Sequence, residues 1–273
     1  MSLNFENQKK QFWTDGFLLV ENAINDRQLE NLKKTFDQDG CVILKNLLSE
    51  DKVKLLKERV VELAEKEKNT GDAYLYPFDE SGKTQRVWNL TNKGEIFRDL
   101  LEIEVVDDFM NYIFDRKTQH QKYFLSSYQA NILNPGCIRQ KLHIDTPAPE
   151  PLPEWAIKAN AIWFLDDFTE LNGATEYIPG THKLKYKPSP KDNEECEVIK
   201  ACGPAGSVLI SHGALWHRAG ANISGKPRVA LLCSMAASYA LEIAHEEDHS
   251  LVINKNGSKV YIDTGKSNNI SSK

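Results

Sequence analysis

The chain has 273 residues, 41% hydrophobic and 27% charged, with a formal net charge of −5. That balance excludes a disordered chain and fits one globular unit with a sizeable core. Its positive residues are dispersed rather than striped, which gives a nucleic-acid partner no support.

Near the start, Phe12-Trp13-Thr14-Asp15-Gly16-Phe17-Leu18-Leu19-Val20 and Phe36-Asp37-Gln38-Asp39-Gly40-Cys41-Val42-Ile43-Leu44 echo one another. Each reads as a helix end, a turn, a short strand and then a helix. Residues 1–34 are therefore expected to form an accessory segment, a partial duplication ahead of a single catalytic domain over 35–273. Residues 50–68 place Val53, Leu56, Val60 and Leu63 on one stripe, and residues 94–114 do the same with Phe97, Leu100, Leu101, Val105 and Met110. Both patterns predict helices packed on a sheet. From Lys122 onward, β-rich runs alternate with Gly, Pro and Asn, the signature of a sandwich or barrel of short strands.

Three polar stretches, 65–85, 146–158 and 183–200, are long for structureless connections. The middle one is expected to cover a substrate. Five cysteines, Cys41, Cys137, Cys196, Cys202 and Cys233, include no Cys-x-x-Cys pair and are odd in number. They point to reduced thiols and a cytoplasmic setting. The first ten residues lack an apolar h-region, and no run approaches ~18 apolar residues, so neither secretion nor a membrane partner is expected.

The chemistry concentrates in His143-Ile144-Asp145, with His217 and Arg228 much later. In an extended strand, side chains two apart share a face, so His143 and Asp145 can converge on one metal ion. A second imidazole, His217, completes the two-His, one-carboxylate set that holds non-heme Fe(II) and leaves positions open for a co-substrate and oxygen. His-x-Asp also arises by chance, and alone it reads as a strand histidine followed by an Asp that caps the turn before Pro147 and Pro149. The context weighs against that reading. Arg228 opens the apolar run Val229-Ala230-Leu231-Leu232, where a buried guanidinium needs an anionic partner; a small dicarboxylate suits it through paired hydrogen bonds.

Six ordered segments carry a resemblance: Arg86-Val87-Trp88-Asn89-Leu90, the run from Phe124 to Gly136, Gln140-Lys141-Leu142-His143-Ile144-Asp145, the run from Ile162 to Phe168, the run from Asn172 to His182, and Trp216-His217-Arg218-Ala219-Gly220-Ala221-Asn222. Over about residues 36 to 240 the chain resembles the phytanoyl-CoA dioxygenase family of Fe(II)/2-oxoglutarate-dependent oxygenases. The resemblance implies a mainly β fold with flanking helices around a double-stranded β-helix, the cupin-like jelly roll. It also implies iron ligation by His143, Asp145 and His217, 2-oxoglutarate as co-substrate held by Arg228, Gln140 and Thr175, and O2 as oxidant.

Glu176 and Thr181 depart from the family's usual arginine or leucine and serine. The retained Asp145 disfavours halogenation, which in related enzymes needs a small residue there. The segments look more like natural-product hydroxylases than acyl-CoA hydroxylases, so a small-molecule substrate is expected, with Trp88, Asn89, Tyr128 and Trp163 as candidate wall residues. Core packing is the competing role for these aromatics. An acyl-CoA hydroxylase and a non-catalytic ligand-binding member remain alternatives. His212 competes with His217 for the third ligand position, but five residues apart they cannot share a strand face; the resemblance favours His217 and makes His182 structural. A zinc metallohydrolase through His245 and His249 formally fits His-Glu-x-x-His. Against it, the middle positions are acidic and Asn254, Asn256 and Gly257 follow closely.

Overall fold

A computed structural model describes residues 26–68, 73–75, 79–115, 123–240, 249–253 and 259–263. The first copy of the N-terminal echo and His245 lie outside the described residues, and His249 opens a strand rather than sitting on a helix.

Helix α1 (Asp26–Asp39) leads through Gly40 into β1 (Cys41–Leu44), followed by α2 (Glu50–Glu67). α2 begins where Ser49 accepts a hydrogen bond from the Lys52 N–H, with Glu50 and Asp51 in its first turn. A capping oxygen and negative charge both favour a helix N-terminus. α2 buries the expected stripe of Val53, Leu56, Val60 and Leu63. α1 crosses the expected boundary at residue 34, and its Leu29 and Leu32 pack against the main core.

Residues 94–114 do not form the single helix that periodicity predicts. They break into α3 (Glu95–Arg98), a 3-10 turn (Asp99–Glu102) and α4 (Glu104–Asp115), with Ile103 extended at ψ 108° between the last two. The break lets Leu100, Leu101 and Ile103 enter one core together. On an unbroken helix those three would spread over about 160° of the circumference, wider than the ~100° stripe such a helix normally buries.

The β elements are β2 (Ala73–Leu75), β3 (Thr84–Val87), β4 (Tyr123–Leu133), β5 (Lys158–Phe164), β6 (Thr175–Tyr177), β7 (Ile199–Lys200), β8 (Val208–His212), β9 (His217–Ala219), β10 (Arg228–Ala237), β11 (His249–Ile253) and β12 (Lys259–Asp263). A large sheet runs β1-β8-β5-β10-β4-β11-β12, with β3 also on β4 and β2 on β3; a small sheet runs β7-β6-β9. All of these pairings are antiparallel. Together they form the jelly-roll core.

β4, β5 and β10 are buried on both faces, and alternate residues serve different ends. Tyr128, Ala130, Ile132, Ala159, Ala161, Trp163, Val229, Leu231 and Cys233 pack into the core with the helices. Ser127, Gln129, Asn131, Lys158, Asn160, Ile162, Arg228, Leu232 and Ser234 face the cavity between the sheets.

This alternation corrects two expected wall residues. Tyr128 is fully buried, edge-on to Phe97, and Trp163 is 1% exposed; both belong to the core. Asn89 also lies off the cavity, because its left-handed φ of 57° turns the chain out of β3 into a 3-10 turn. Of the four candidates, Trp88 lines the cavity. Trp163→Ala is accordingly expected to cost ~3–5 kcal/mol in urea unfolding with little change in affinity for cavity ligands; a lost affinity at unchanged stability would restore its role as a wall.

The stretch 146–158 is not a cover either. Ala148, Leu152 and Ile157 are buried against Phe124, Ala214, Ala236 and Ala240, and Ala156 joins the main core, so apolar packing pins the segment down; of its residues, Lys158 at the end reaches the cavity. The mouth is instead bordered by Asp79 and Glu80 from the first stretch and by residues 138–141. The third stretch, which contains α5 (Asp192–Glu195), supports those residues through Asn193, whose side-chain oxygen accepts the Leu142 N–H at 2.5 Å.

Candidate metal centre

His143 lies outside the named strands but pairs with His217 of β9 through reciprocal backbone bonds of 3.0 and 3.1 Å. Two residues on, the N–H groups of Asp145 and Thr146 both donate to the Gly213 carbonyl, at 2.8 and 2.9 Å. The expected strand is thus a short extended piece held at both ends. Gly213 is needed for this approach: a Cβ there would sit 2.6 Å from the Lys158 carbonyl oxygen.

The arrangement brings His143, Asp145 and His217 together, with one donor atom from each within 4.8 Å of the others. His217 Nε2 is 3.3 Å from Asp145 Oδ2, and His143 Nε2 is 4.0 Å from Oδ1. His143 Nδ1 faces the Lys141 carbonyl and His217 Nδ1 the Leu215 carbonyl, each at 2.9 Å. A carbonyl can only accept, so each Nδ1 carries the proton and each Nε2 keeps its lone pair for the centre of the cluster.

Electrostatics favour that state at Asp145 and His143. Burial alone would raise the Asp145 pKa, but His217, His143 and Lys158 outweigh it and hold the carboxyl well below the usual carboxylate range. Enclosure in the cleft and the neighbouring His217 push His143 down, so it is a neutral donor at physiological pH. Burial opposes the charged form of His217 too, yet the adjacent Asp145 raises its pKa overall. One anionic oxygen donor and two imidazole nitrogens suit a divalent first-row metal such as Fe(II).

These groups share a cavity of about 590 Å³ with Gln140, Thr175 and Arg228, a size typical of small-molecule sites. Arg228, 2% exposed, donates from Nη2 to the Gly173 carbonyl at 3.0 Å and stacks 4.2 Å over the Phe168 ring. Gly173 sits at φ +82°, a conformation that favours glycine. Burial brings the Arg228 pKa down to about 10, so it stays charged at neutral pH. Its Nε has no hydrogen-bond partner, and among the described residues no carboxylate lies within salt-bridge distance. A buried cation in that condition suits the far carboxylate of a diacid such as 2-oxoglutarate. Gln140 spends its Oε1 on the Ala219 N–H at 3.0 Å, leaving the Nε2 donor for a ligand.

His212 is excluded from the cluster. Its Nδ1 accepts the Ala214 N–H, and its ring lies 5.3 Å from that of His182, away from the cavity. Sequence reasoning overlooked Arg86, Gln129, Asn131, Lys158 and Asn160, all lining the cavity. Arg86 donates to Gln129 Oε1 at 2.8 Å, and Asn160 donates to Asp145 Oδ2 at 2.7 Å. The available signal was period two: polar residues at 127, 129 and 131 and at 158 and 160 interrupt runs otherwise apolar enough for a core.

Glu176, the departure from the family pattern, is 1% exposed and accepts from Arg218 Nε at 2.7 Å, while Arg139 approaches its other oxygen at 3.1 Å. This pair ties β6 to β9 at the edge of the cavity. Glu176→Ala strands the buried guanidinium and is expected to cost ~3–5 kcal/mol. Urea unfolding checks this; a loss under ~1 kcal/mol would mean that the pair contributes little.

Comparison with known proteins gives the same picture. The family model "Phytanoyl-CoA dioxygenase (PhyH)" matches residues 36–230. Among curated relatives, Dioxygenase af480 of Aspergillus fumigatus is 30% identical over 54% of this chain and 46% of its own length. Dioxygenase FUM3 of Gibberella moniliformis is 31% identical over 65% of this chain and 60% of its own. The match therefore spans about half of these relatives' length. Among solved structures, the non-heme alpha-ketoglutarate-dependent epimerase SnoN from nogalamycin biosynthesis superposes with a TM-score of 0.61 at 17% identity, over 84% of this chain and 86% of that one. HygX from Streptomyces hygroscopicus, with nickel, 2-oxoglutarate and hygromycin B bound, gives 0.61 at 14% identity over 77% and 87%. At such identities the structural likeness establishes the jelly roll, while the family model covers well over half of the sequence: the chain belongs to the phytanoyl-CoA dioxygenase family.

Proposed function

We propose that the chain is an Fe(II)- and 2-oxoglutarate-dependent dioxygenase that hydroxylates an unactivated C–H bond of a small molecule, as a tailoring step in natural-product biosynthesis. The observation that carries this is the coexistence in one cavity of the His143–Asp145–His217 cluster and a buried Arg228 that, among the described residues, has no carboxylate within ion-pair distance. In this reading His143, Asp145 and His217 hold the iron. Arg228 grips the far carboxylate of 2-oxoglutarate, while Thr175 and the Gln140 carboxamide orient the co-substrate by hydrogen bonding. Held there, Fe(II) and 2-oxoglutarate would supply, with O2, the oxidising power for the C–H bond, one oxygen atom going into succinate as carbon dioxide is released and the other into the hydroxylated product. The remaining wall orients the substrate and keeps bulk water away.

A natural-product substrate is supported by the structural neighbours, SnoN from nogalamycin biosynthesis and HygX with hygromycin B bound, and by a cavity lined mainly with polar side chains. The five free cysteines support a cytoplasmic setting, and among the described residues no helix is long and apolar enough to cross a membrane. Residues 1–34 are proposed as the accessory segment, with α1 crossing its end. The deciding assay measures succinate formed from 2-oxoglutarate with and without Fe(II), across a panel of polar natural products and acyl-CoA esters. Iron-dependent succinate matched by a hydroxylated product supports the reading. Metal-loaded protein that never forms succinate would instead point to a binding member of the fold.

A further inference from the structure

Asp145 is carried by a segment outside the sheets, and besides His217 Nε2 of β9 at 3.3 Å from Oδ2, its carboxylate meets a hydrogen-bond donor on the large sheet. That donor is Asn160, 7% exposed on β5, which is paired on one side with β10 and on the other with β8. Its backbone is therefore fixed by two ladders, and its Nδ2 donates to Asp145 Oδ2 at 2.7 Å. Building on the proposed iron site, we infer that Asn160 is a positioning residue that makes Asp145 a one-oxygen ligand. The hydrogen bond occupies one carboxylate oxygen and orients the group, leaving Oδ1 to the metal.

The chemistry of the donor explains why an amide stands here. A lysine or arginine at this distance would compete with the cation for the carboxylate's charge, whereas a neutral amide polarises it without neutralising it. Lys158, two residues earlier on the same face, contributes its charge at longer range and helps to keep the carboxyl ionised. A carboxylate limited to one oxygen spares a coordination position. An iron site of this kind needs the open positions for a chelating co-substrate and for oxygen. A group that orients a metal ligand in this way is typically worth ~10–100-fold in metal affinity.

The test uses Co(II) as a redox-inert probe, in the full chain, with Asn160→Leu, Asn160→Ser and Asn160→Gln. Leucine keeps the volume and loses the donor. Serine stays polar but is too short to reach Asp145, and it decides the matter should the leucine variant fail to fold by circular dichroism. Glutamine restores a carboxamide donor. The expectation is at least about tenfold weaker Co(II) binding by calorimetry for Leu and Ser, visible ligand-field bands shifted from the wild-type pattern, and partial recovery of both with Gln. Folded Leu or Ser variants with wild-type affinity and a wild-type Co(II) spectrum would overturn the inference. Wild-type protein that binds neither Co(II) nor 2-oxoglutarate would instead sink the functional reading on which it rests.

Discussion

His143→Ala or Asp145→Ala is expected to abolish turnover and to weaken metal binding by well over the ~10–100-fold typical of losing a group that only orients a ligand. Each substitution removes one of three donor atoms, and the two that remain come from segments held together at His143 and His217 by a single pair of backbone bonds. Asp145→Ala should be the more severe, because it removes the only anionic donor in the cluster and leaves two imidazoles facing a divalent cation. The fold should persist in both variants. The His143 side chain is 42% exposed and that of Asp145 32%, and neither belongs to an apolar cluster. Calorimetry with Fe(II) under anaerobic conditions, alongside circular dichroism, separates the two effects. Wild-type metal affinity in either purified variant would refute the ligand assignment.

Arg228→Ala is expected to raise the apparent requirement for 2-oxoglutarate by about 30-fold or more, since truncating one partner of a buried charge pair costs ~2–5 kcal/mol. The contact is proposed at the end of the co-substrate remote from the reacting carbon, so kcat at saturating 2-oxoglutarate should fall much less than kcat/KM. Stability should respond in an unusual way. The variant loses the stacking on Phe168 and the bond to Gly173, but it also removes a buried cation whose Nε is unsatisfied. The ligand-free protein should therefore lose little, while the rise in melting temperature that 2-oxoglutarate gives the wild type should disappear. Arg228→Lys should not rescue, because an ammonium cannot reproduce the planar two-bond grip. An unaltered KM for 2-oxoglutarate in Arg228→Ala would remove this residue from the site.

What could be read from the sequence divides along physical lines. The α2 stripe was legible because Val53, Leu56, Val60 and Leu63 repeat at helical spacing behind a Ser49 cap. The pairing of His143 with Asp145 was legible because a two-residue spacing on extended backbone puts both on one face, whereas the choice of His217 over His212 as third donor came from the family resemblance. The break at Ile103 was not, since no proline or glycine marks it and packing alone imposes it. The aromatics at 128 and 163 were misplaced because their parity in β4 and β5 depends on which face of each strand meets the helices. A register is a property of the assembled sheet. The same parity, once known, places Gln129, Lys158 and Asn160 on the cavity side. The stretch 146–158 misled for another reason: its length and its place directly after His143 and Asp145 suggest a cover, yet Leu152 and Ile157 anchor it to the body of the protein.

The most direct test of the account is anaerobic addition of Fe(II) and then 2-oxoglutarate to the purified chain, monitored by visible absorption. A weak charge-transfer band is expected that saturates at one iron and one 2-oxoglutarate per chain and is absent from Asp145→Ala. Failure of the wild-type protein to develop that band, with iron and co-substrate both in excess, would contradict the proposed function.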